Sequence, residues 1–187
     1  MRRAVSIIIF GAAVLAGCGK PTPEEYWSRA AQARQSALKE MDTVRHEGAG
    51  VKLFEPVIEN YTALLREYPA TPQAEQALFA LASLYNDYTG EYQKAIECFG
   101  QYVERYPDRA KTPVAMFLIG YIYNNQLGNL DSAMVAYERF LQRYPDHEMA
   151  ESARFELNSL GKSPEELLPP DQPKKAGKTV AKNSAVS

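Results

Sequence analysis

Residues 106–145 read YPDRAKTPVAMFLIGYIYNNQLGNLDSAMVAYERFLQRYP, a stretch that begins and ends with a Tyr-Pro pair. The same pair occurs at Tyr68-Pro69, so three Tyr-Pro steps recur at intervals of 38 residues. Other columns keep this spacing: Phe79, Phe117 and Phe155; Leu81, Ile119 and Leu157; Ala77, Ala115 and Ala153. Internal similarity at a period of about 20–50 residues is typical of repeat architectures, so the chain is predicted to stack similar units.

Each unit contains two apolar stripes at helical spacing. The first stripe has positions i, i+3, i+4 and i+7 of one helix face: Met116, Ile119, Gly120 and Tyr123, with Leu78, Leu81, Ala82 and Tyr85 one period earlier. The second stripe is Ala133, Tyr137, Phe140, Leu141 and Tyr144, with Ala95, Phe99, Tyr102, Val103 and Tyr106 one period earlier. Each unit is therefore predicted to be a pair of helices, which makes the fold all-α.

Residues that start and stop helices stand between the stripes. Gly90 and Gly128 supply a permissive backbone at the end of the first helix of each unit. Pro107 and Pro145 lack an amide hydrogen and end the second helix. Thr71-Pro72 and Thr112-Pro113 combine a capping hydroxyl with a first-turn proline, which predicts a helix start at each.

These positions resemble the tetratricopeptide signature of a large residue, Leu, Gly or Ala and Tyr, followed by Ala, an aromatic residue and Pro. The resemblance covers about residues 55–160 and implies a right-handed superhelical solenoid of helical hairpins. The unit is longer than the usual one of about 34 residues, since one extra residue precedes Gly90 and three follow the proline. Tyr102 and Phe140 also stand where a small residue is usual. These departures are similar to the repeats of BamD-like outer-membrane lipoproteins and, as a second choice, of YbgF-like proteins.

The first 17 residues have the features of a secretion signal. Arg2 and Arg3 precede an apolar run from Ala4 to Ala16, which is too short to span a bilayer as an ordinary helix. A buried core helix or a short transmembrane segment is the alternative. The run ends in Leu15, Ala16, Gly17 and Cys18, which resembles the lipobox of bacterial lipoproteins.

The lipobox resemblance implies that residues 1–17 are removed and that Cys18 is acylated at the start of a short linker, residues 18–23. Two or more acyl chains anchor a protein stably, so we expect attachment to a membrane through lipid. Gly19 stands where an Asp would retain a proteobacterial lipoprotein at the inner membrane, which favours the periplasmic face of the outer membrane. Cys98 lies within an apolar helical stripe and is predicted to be a core residue.

The repeat domain is predicted to span residues 24–168 between two different ends. Its predicted parts are a divergent first unit at 24–69, full units at 70–107 and 108–145, and a terminal cap at 146–168. Thr22-Pro23-Glu24-Glu25 predicts the start of a helix that runs to about Arg45, and Gly48-Ala49-Gly50 predicts a break after it. Glu55–Tyr68 is predicted to form a second helix. Ser163-Pro164-Glu165-Glu166 predicts the start of a short last helix that ends at Pro169-Pro170. Residues 169–187 are rich in Pro, Lys, Ala and Ser and are predicted to be a disordered basic tail.

Charge and motif content exclude several classes of function. The formal net charge is −2, and residues 24–168 hold 14 basic against 22 acidic side chains, so nucleic acid is not an expected partner. His46 and His147 stand alone, and the chain has no zinc-ligand spacing, no Gly-rich phosphate loop and no nucleophile elbow. We therefore expect no enzymatic activity, no cofactor, no metal and no small-molecule substrate, although an accessory subunit of an envelope enzyme remains an alternative.

Protein binding is the function that remains, because the first helices of stacked repeats line a groove. By tetratricopeptide analogy the predicted groove residues are Gln76, Phe79, Ser83, Asn86, Asp87, Val114, Phe117, Tyr121, Asn124, Asn125, Ser152, Phe155 and Ser159. The three Phe could form an apolar ladder in the groove, or they could be core residues between helices. The sequence favours a BamD-like adaptor in outer-membrane protein assembly, with a YbgF-like coordinator linked to Tol-Pal or peptidoglycan synthesis as the alternative.

Overall fold

The computed structural model describes residues 19–41, 49–163 and 166–167, without the side chains of residues 49 and 50. These ranges contain seven α-helices and no strand: α1 (Pro23–Met41), α2 (Ala49–Glu67), α3 (Pro72–Leu84), α4 (Tyr92–Arg105), α5 (Thr112–Tyr121), α6 (Leu130–Arg143) and α7 (Ala150–Ser159). The predicted all-α fold is confirmed. The chain divides into two compact units, one up to Leu81 and one from Ala82 onward. This division falls inside α3, so it differs from the repeat boundaries predicted above.

The first unit is a hairpin in which α1 packs along α2. The hydroxyl of Tyr68, just after α2, donates to the Pro21 carbonyl before α1 at 3.0 Å, so the two helices run in opposite directions. Ala30 and Ala37 are buried on α1, and their small side chains allow α2 to approach closely. The α2 face that they meet consists of Phe54, Val57, Tyr61 and Leu64, all buried.

The predicted start of α1 is confirmed by a reciprocal capping box. The Thr22 hydroxyl accepts the Glu25 amide at 3.2 Å, and the Glu25 carboxylate accepts the Thr22 amide at 2.8 Å. These bonds satisfy two amides that have no partner within the helix. Residues 42–48, into which α1 was predicted to extend, lie outside the described residues.

The predicted start of α2 was wrong. The helix begins at Ala49 rather than Glu55, and it runs through Gly50 and Pro56. Glycine and proline disfavour a helix interior by local propensity. Propensity is outweighed here because Phe54 and Val57 are fully buried against α1, and the packing of an amphipathic face supplies most of the stability of a helix.

In the second unit, successive helices pack on one another: α4 on α5, α5 on α6 and α6 on α7. Small residues at the crossings are fully buried, among them Ala95, Ala115, Ala133 and Ala153. The closest approach is at Gly120 on α5, where an added Cβ would lie 2.8 Å from two ring carbons of Tyr137 on α6. Gly120 is therefore required by packing.

The extra residue in each repeat is accommodated by a π-helical turn. α3 ends in such a turn at Tyr85–Thr89, and α5 ends in one at Ile122–Gln126. In the second turn the Leu127 amide donates to the Ile122 carbonyl, five residues back, at 3.1 Å, which is the hydrogen bond of a π-turn. Gly90 and Gly128 follow with φ of 69° and 61°, a conformation that glycine adopts without strain. Their predicted role at helix ends is confirmed.

The two Thr-Pro steps differ in what the hydroxyl does. Thr71 precedes α3, and its oxygen accepts the Ala74 amide at 3.3 Å, so the predicted cap is confirmed. Thr112 was wrongly predicted to be a cap, since it is the first residue of α5 and Lys111 holds the cap position. The fully buried Thr112 hydroxyl instead donates to the Tyr106 carbonyl at the end of α4. A cap that the sequence reading missed is Asn129, whose side chain accepts the Ser132 amide at 3.0 Å.

At the other end of the second unit, α7 is followed by Gly161 with a φ of 72°. The Ser163 amide donates to the Glu166 carboxylate at 2.7 Å, which is one half of the predicted capping box. The pKa of the Glu166 carboxyl is lowered, mainly because its charged form accepts this hydrogen bond from the Ser163 backbone. The predicted terminal helix and the predicted disordered tail fall largely outside the described residues.

Candidate protein-binding surface on the first helices

The predicted groove residues divide between the two units. Gln76 and Phe79 belong to the first unit, and the others belong to the second. In the second unit they lie on the first helices, which are the end of α3, α5 and α7 with the π-turns after α3 and α5. Asp87, Asn125, Ser152 and Phe155 are exposed, and Ser83, Asn86, Val114, Tyr121, Asn124 and Ser159 are half-buried. We call these residues of the second unit the first-helix surface.

Phe117 lies in the core and does not belong to the first-helix surface. It is 9% exposed, and its ring lies 5.5 Å from that of Tyr137 and 6.0 Å from that of Phe140 on α6. Phe155, one repeat later, is 63% exposed. The structure thus assigns Phe117 to the core, one of the two alternatives left open by the sequence, and leaves Phe155 accessible to a partner.

Asn124 and Asn125, in the π-turn after α5, form hydrogen bonds on this surface. The Asn124 amide donates to the Glu156 carboxylate of α7 at 3.1 Å. The Asn125 amide donates to the Tyr121 carbonyl at 3.3 Å. Sequence reasoning missed Glu156. The signal was present, since the same column holds Ala80 and Leu118 in the two preceding repeats.

Two buried polar atoms have no hydrogen-bond partner in the described parts of the chain, Asn86 Oδ1 and the Tyr137 hydroxyl. The Asn86 amide already donates to Asp87 at 2.7 Å, so its oxygen remains as an acceptor. Burial, reinforced by Glu156 and Tyr121, raises the pKa of Tyr137, so its hydroxyl is a donor at neutral pH. An unsatisfied buried polar group costs about 1–3 kcal/mol.

Groups that support catalysis are sparse in the described ranges. No cluster of three or more His, Cys, Asp or Glu side chains there could hold a metal ion. Cys98 is a half-buried free thiol. Its burial, with a smaller effect of Glu97, raises the pKa of Cys98 to about 11, which keeps the thiol protonated and weakly reactive.

The predicted membrane attachment lies in residues that the structure does not describe. Cys18 and the preceding Leu15, Ala16 and Gly17 are outside the described ranges. Within those ranges, none of the helices combines the length and the apolar character that crossing a bilayer requires.

Comparison with known families identifies the repeat class. Residues 76–109 and 114–147 each match the tetratricopeptide repeat family, and the two matches start 38 residues apart, in agreement with the period of the Tyr-Pro steps. No curated protein matches the chain. The two matched segments are thus similar to tetratricopeptide repeats, a class of helical hairpin whose stacked units form extended binding surfaces.

Proposed function

We propose that this tetratricopeptide-repeat protein is a lipid-anchored periplasmic adaptor with a BamD-like role in outer-membrane protein assembly. The observation that carries the proposal is the first-helix surface of the second unit. It combines the exposed ring of Phe155 and the half-buried ring of Tyr121 with the amides of Asn86, Asn124 and Asn125. Aromatic rings and amides on a preformed helical surface suit a peptide segment of a protein partner.

The polar atoms of this surface suit an extended or β-prone segment. Such a segment carries backbone amides and carbonyls that need partners. The side-chain amide of Asn125 is exposed and that of Asn124 is half-buried, and both kinds of amide atom can bond to such groups. Membrane β-barrel proteins are rich in such segments before they are paired into a barrel. These amides therefore support an assembly client.

The charge of the surface disfavours acidic clients. Asp87 and Glu156 are acidic members or neighbours of the first-helix surface, and Arg154 on α7 is paired with Glu151 at 2.5 Å. Residues 24–168 carry a net charge of −8, from 14 basic and 22 acidic side chains. An acidic C-terminal peptide would meet repulsion, whereas an apolar or basic segment would not.

The lipid anchor is proposed from the resemblance of Leu15-Ala16-Gly17-Cys18 to a lipobox. A diacylated cysteine would hold the protein on the membrane without a spanning helix. Gly19 in place of an inner-membrane retention Asp supports the periplasmic face of the outer membrane. The repeat domain would then act close to the bilayer in which β-barrels are inserted.

The test is affinity purification of the full chain from envelopes of its own bacterium after in-cell crosslinking. Recovery of β-barrel assembly proteins would support the proposal, provided that a Tyr121→Ala/Phe155→Ala variant loses them. Cys18→Ser is the matched control for the anchor, since it should move the protein out of the membrane fraction and leave the repeats folded. Recovery of Tol-Pal or peptidoglycan-synthesis proteins alone would contradict the BamD-like role and favour the YbgF-like alternative.

A further inference from the structure

A groove of about 450 Å³ lies on a different face of the second unit, between α4 and α6. Its floor is formed by α5 and the π-turn that follows. Most of the lining is apolar: Val103, Met116, Ile119, Tyr123, Val135 and Ala136. Its volume falls in the range of about 300–1,000 Å³ that is typical of binding pockets. Because α4 and α6 are the second helices of consecutive repeats, we call it the second-helix groove.

The second-helix groove and the first-helix surface use opposite sides of α5 and its π-turn. Residues in a helix turn by about 100° each. At that step Met116 and Ile119 lie on one side of α5, and Tyr121 lies about 140–160° away from them on the other. The groove is therefore separate from the surface that carries the proposed function, and the two could be occupied at once.

Gly100 in the middle of α4 shows that the groove is kept open. Glycine destabilises a helix interior by about 1 kcal/mol relative to alanine, so a packing reason is expected for it. Gly120 on α5 has such a reason, because a Cβ there would lie 2.8 Å from Tyr137. Gly100 has none, since a Cβ there would meet nothing within 4 Å. Gly100 lines the groove, so its missing side chain leaves room for an external group.

The groove is accessible at Val135 on α6, which lines it and is 61% exposed. This exposed side chain continues the apolar lining to the surface, as in a pocket that is open to a ligand. A groove between two helices suits a third helix, whose residues at i, i+3, i+4 and i+7 form a ridge.

The charged side chains around the groove indicate which charged residues a bound helix should carry. Glu104 and Asp131 line the groove against a single cation, Arg139. The surrounding residues 82–167 hold 13 acidic and 8 basic side chains. Complementary charges steer association and select among partners, so basic residues are expected beside the apolar ridge of the bound helix.

We propose that the second-helix groove binds an amphipathic helix of a protein partner, with its apolar ridge over Gly100 and Val135 and its basic residues beside Glu104 and Asp131. The protein would then hold two partners on opposite sides of the same repeat. This interaction needs neither the lipid anchor nor the first-helix surface.

The test uses the full chain and an amphipathic Leu/Lys helix peptide with a photoreactive group in its Leu ridge. Saturable binding is measured by fluorescence anisotropy, and crosslinks are mapped by mass spectrometry. We expect crosslinks to α4 and α6. Gly100→Leu should weaken binding at least tenfold and leave the melting temperature unchanged or raised, since leucine is a better helix former than glycine. Phe155→Ala, on the first-helix surface, is the matched control and should leave the affinity unchanged.

A second variant and a second peptide keep the result decisive. Val135→Asp changes an exposed residue, so it should fold normally and also weaken binding at least tenfold. A Leu/Glu peptide should bind at least tenfold more weakly than the Leu/Lys peptide. The proposal is overturned if both groove variants keep the affinity within twofold, if crosslinks map to the first-helix surface, or if the two peptides bind equally.

Discussion

Phe117 and Phe155 occupy the same column of the repeat, 38 residues apart, yet Phe117 is 9% exposed and Phe155 is 63% exposed. The difference lies in the aromatic side chains that cover Phe117. After α5 comes α6, which supplies Tyr137 and Phe140 to cover Phe117. One period later the sequence has Lys175 and Lys178 in place of those aromatic residues. A repeat register therefore gives the side of a helix on which a residue lies, while its burial depends on the next element.

The largest expected effect is that of Phe117→Ala. Removing a buried aromatic ring costs about 3–5 kcal/mol, because the transfer free energy is lost and a cavity remains. Chemical denaturation followed by circular dichroism would measure this loss of unfolding free energy. The matched control is Phe155→Ala, which should change stability by less than about 0.5 kcal/mol because the ring is mostly in solvent. Similar losses for both variants would contradict the assignment of Phe117 to the core.

Gly120→Ala should have the next largest effect. Alanine is the better helix former, but its Cβ would lie 2.8 Å from Tyr137, and overpacking of this kind costs about 1–3 kcal/mol. Gly100→Ala is the control within a neighbouring helix, since its Cβ meets open space and should stabilise the protein by about 1 kcal/mol. Thermal unfolding of the two variants would compare them, and a stabilised Gly120→Ala would show that Tyr137 moves freely.

Tyr137→Phe should have a small effect at neutral pH and a larger one in alkali. The buried hydroxyl has no partner among the described residues, so its removal should be neutral or stabilise by about 1 kcal/mol. Burial raises the pKa of Tyr137 above its unfolded value, which is near 10. Titration of Tyr137 therefore leaves the free energy of unfolding unchanged below about pH 10. Above that pH it lowers the free energy of unfolding, because Tyr137 ionises in the unfolded chain and stays protonated in the folded one.

Unfolding free energies of wild type and Tyr137→Phe from pH 8 to pH 11 would check this. We expect the variant to lose less stability above pH 10 than the wild type does. Tyr61 and Tyr85, whose pKa values burial also raises, remain in both proteins and account for a shared alkaline loss. Parallel pH profiles would contradict a raised pKa of Tyr137 in the folded protein.

Most of the fold of the second unit could be predicted from the sequence, because stripes, glycines and prolines recur in register. The same local rules failed at α2, where burial of Phe54 and Val57 outweighs Gly50 and Pro56. They also placed the cap of α5 at Thr112, whereas the cap is Lys111 and Thr112 is the first residue of the helix. The Thr112 hydroxyl donates to the preceding Tyr106 carbonyl and does not accept an amide of α5. Tertiary packing decided both positions, and a local pattern does not contain it.

The candidate site was less predictable than the fold. The tetratricopeptide analogy placed Phe117 and Phe155 in one column, and it could not separate the buried Phe117 from the exposed Phe155. It also missed Glu156 and the unsatisfied Tyr137 hydroxyl, because hydrogen bonding between repeats depends on helix spacing. The second-helix groove had only one sequence signal, a glycine at position 100 inside an otherwise regular helix.

The half-buried thiol of Cys98 makes the second unit convenient for site-directed labelling. With a pKa raised from 9.0 to about 11, Cys98 has about a hundredfold less thiolate at neutral pH than an ordinary cysteine has. A cysteine introduced at an exposed position such as Val135 or Phe155 would react with a maleimide well before Cys98 does. Fluorophores or spin labels could thus report separately on the two faces while the native cysteine is left in place.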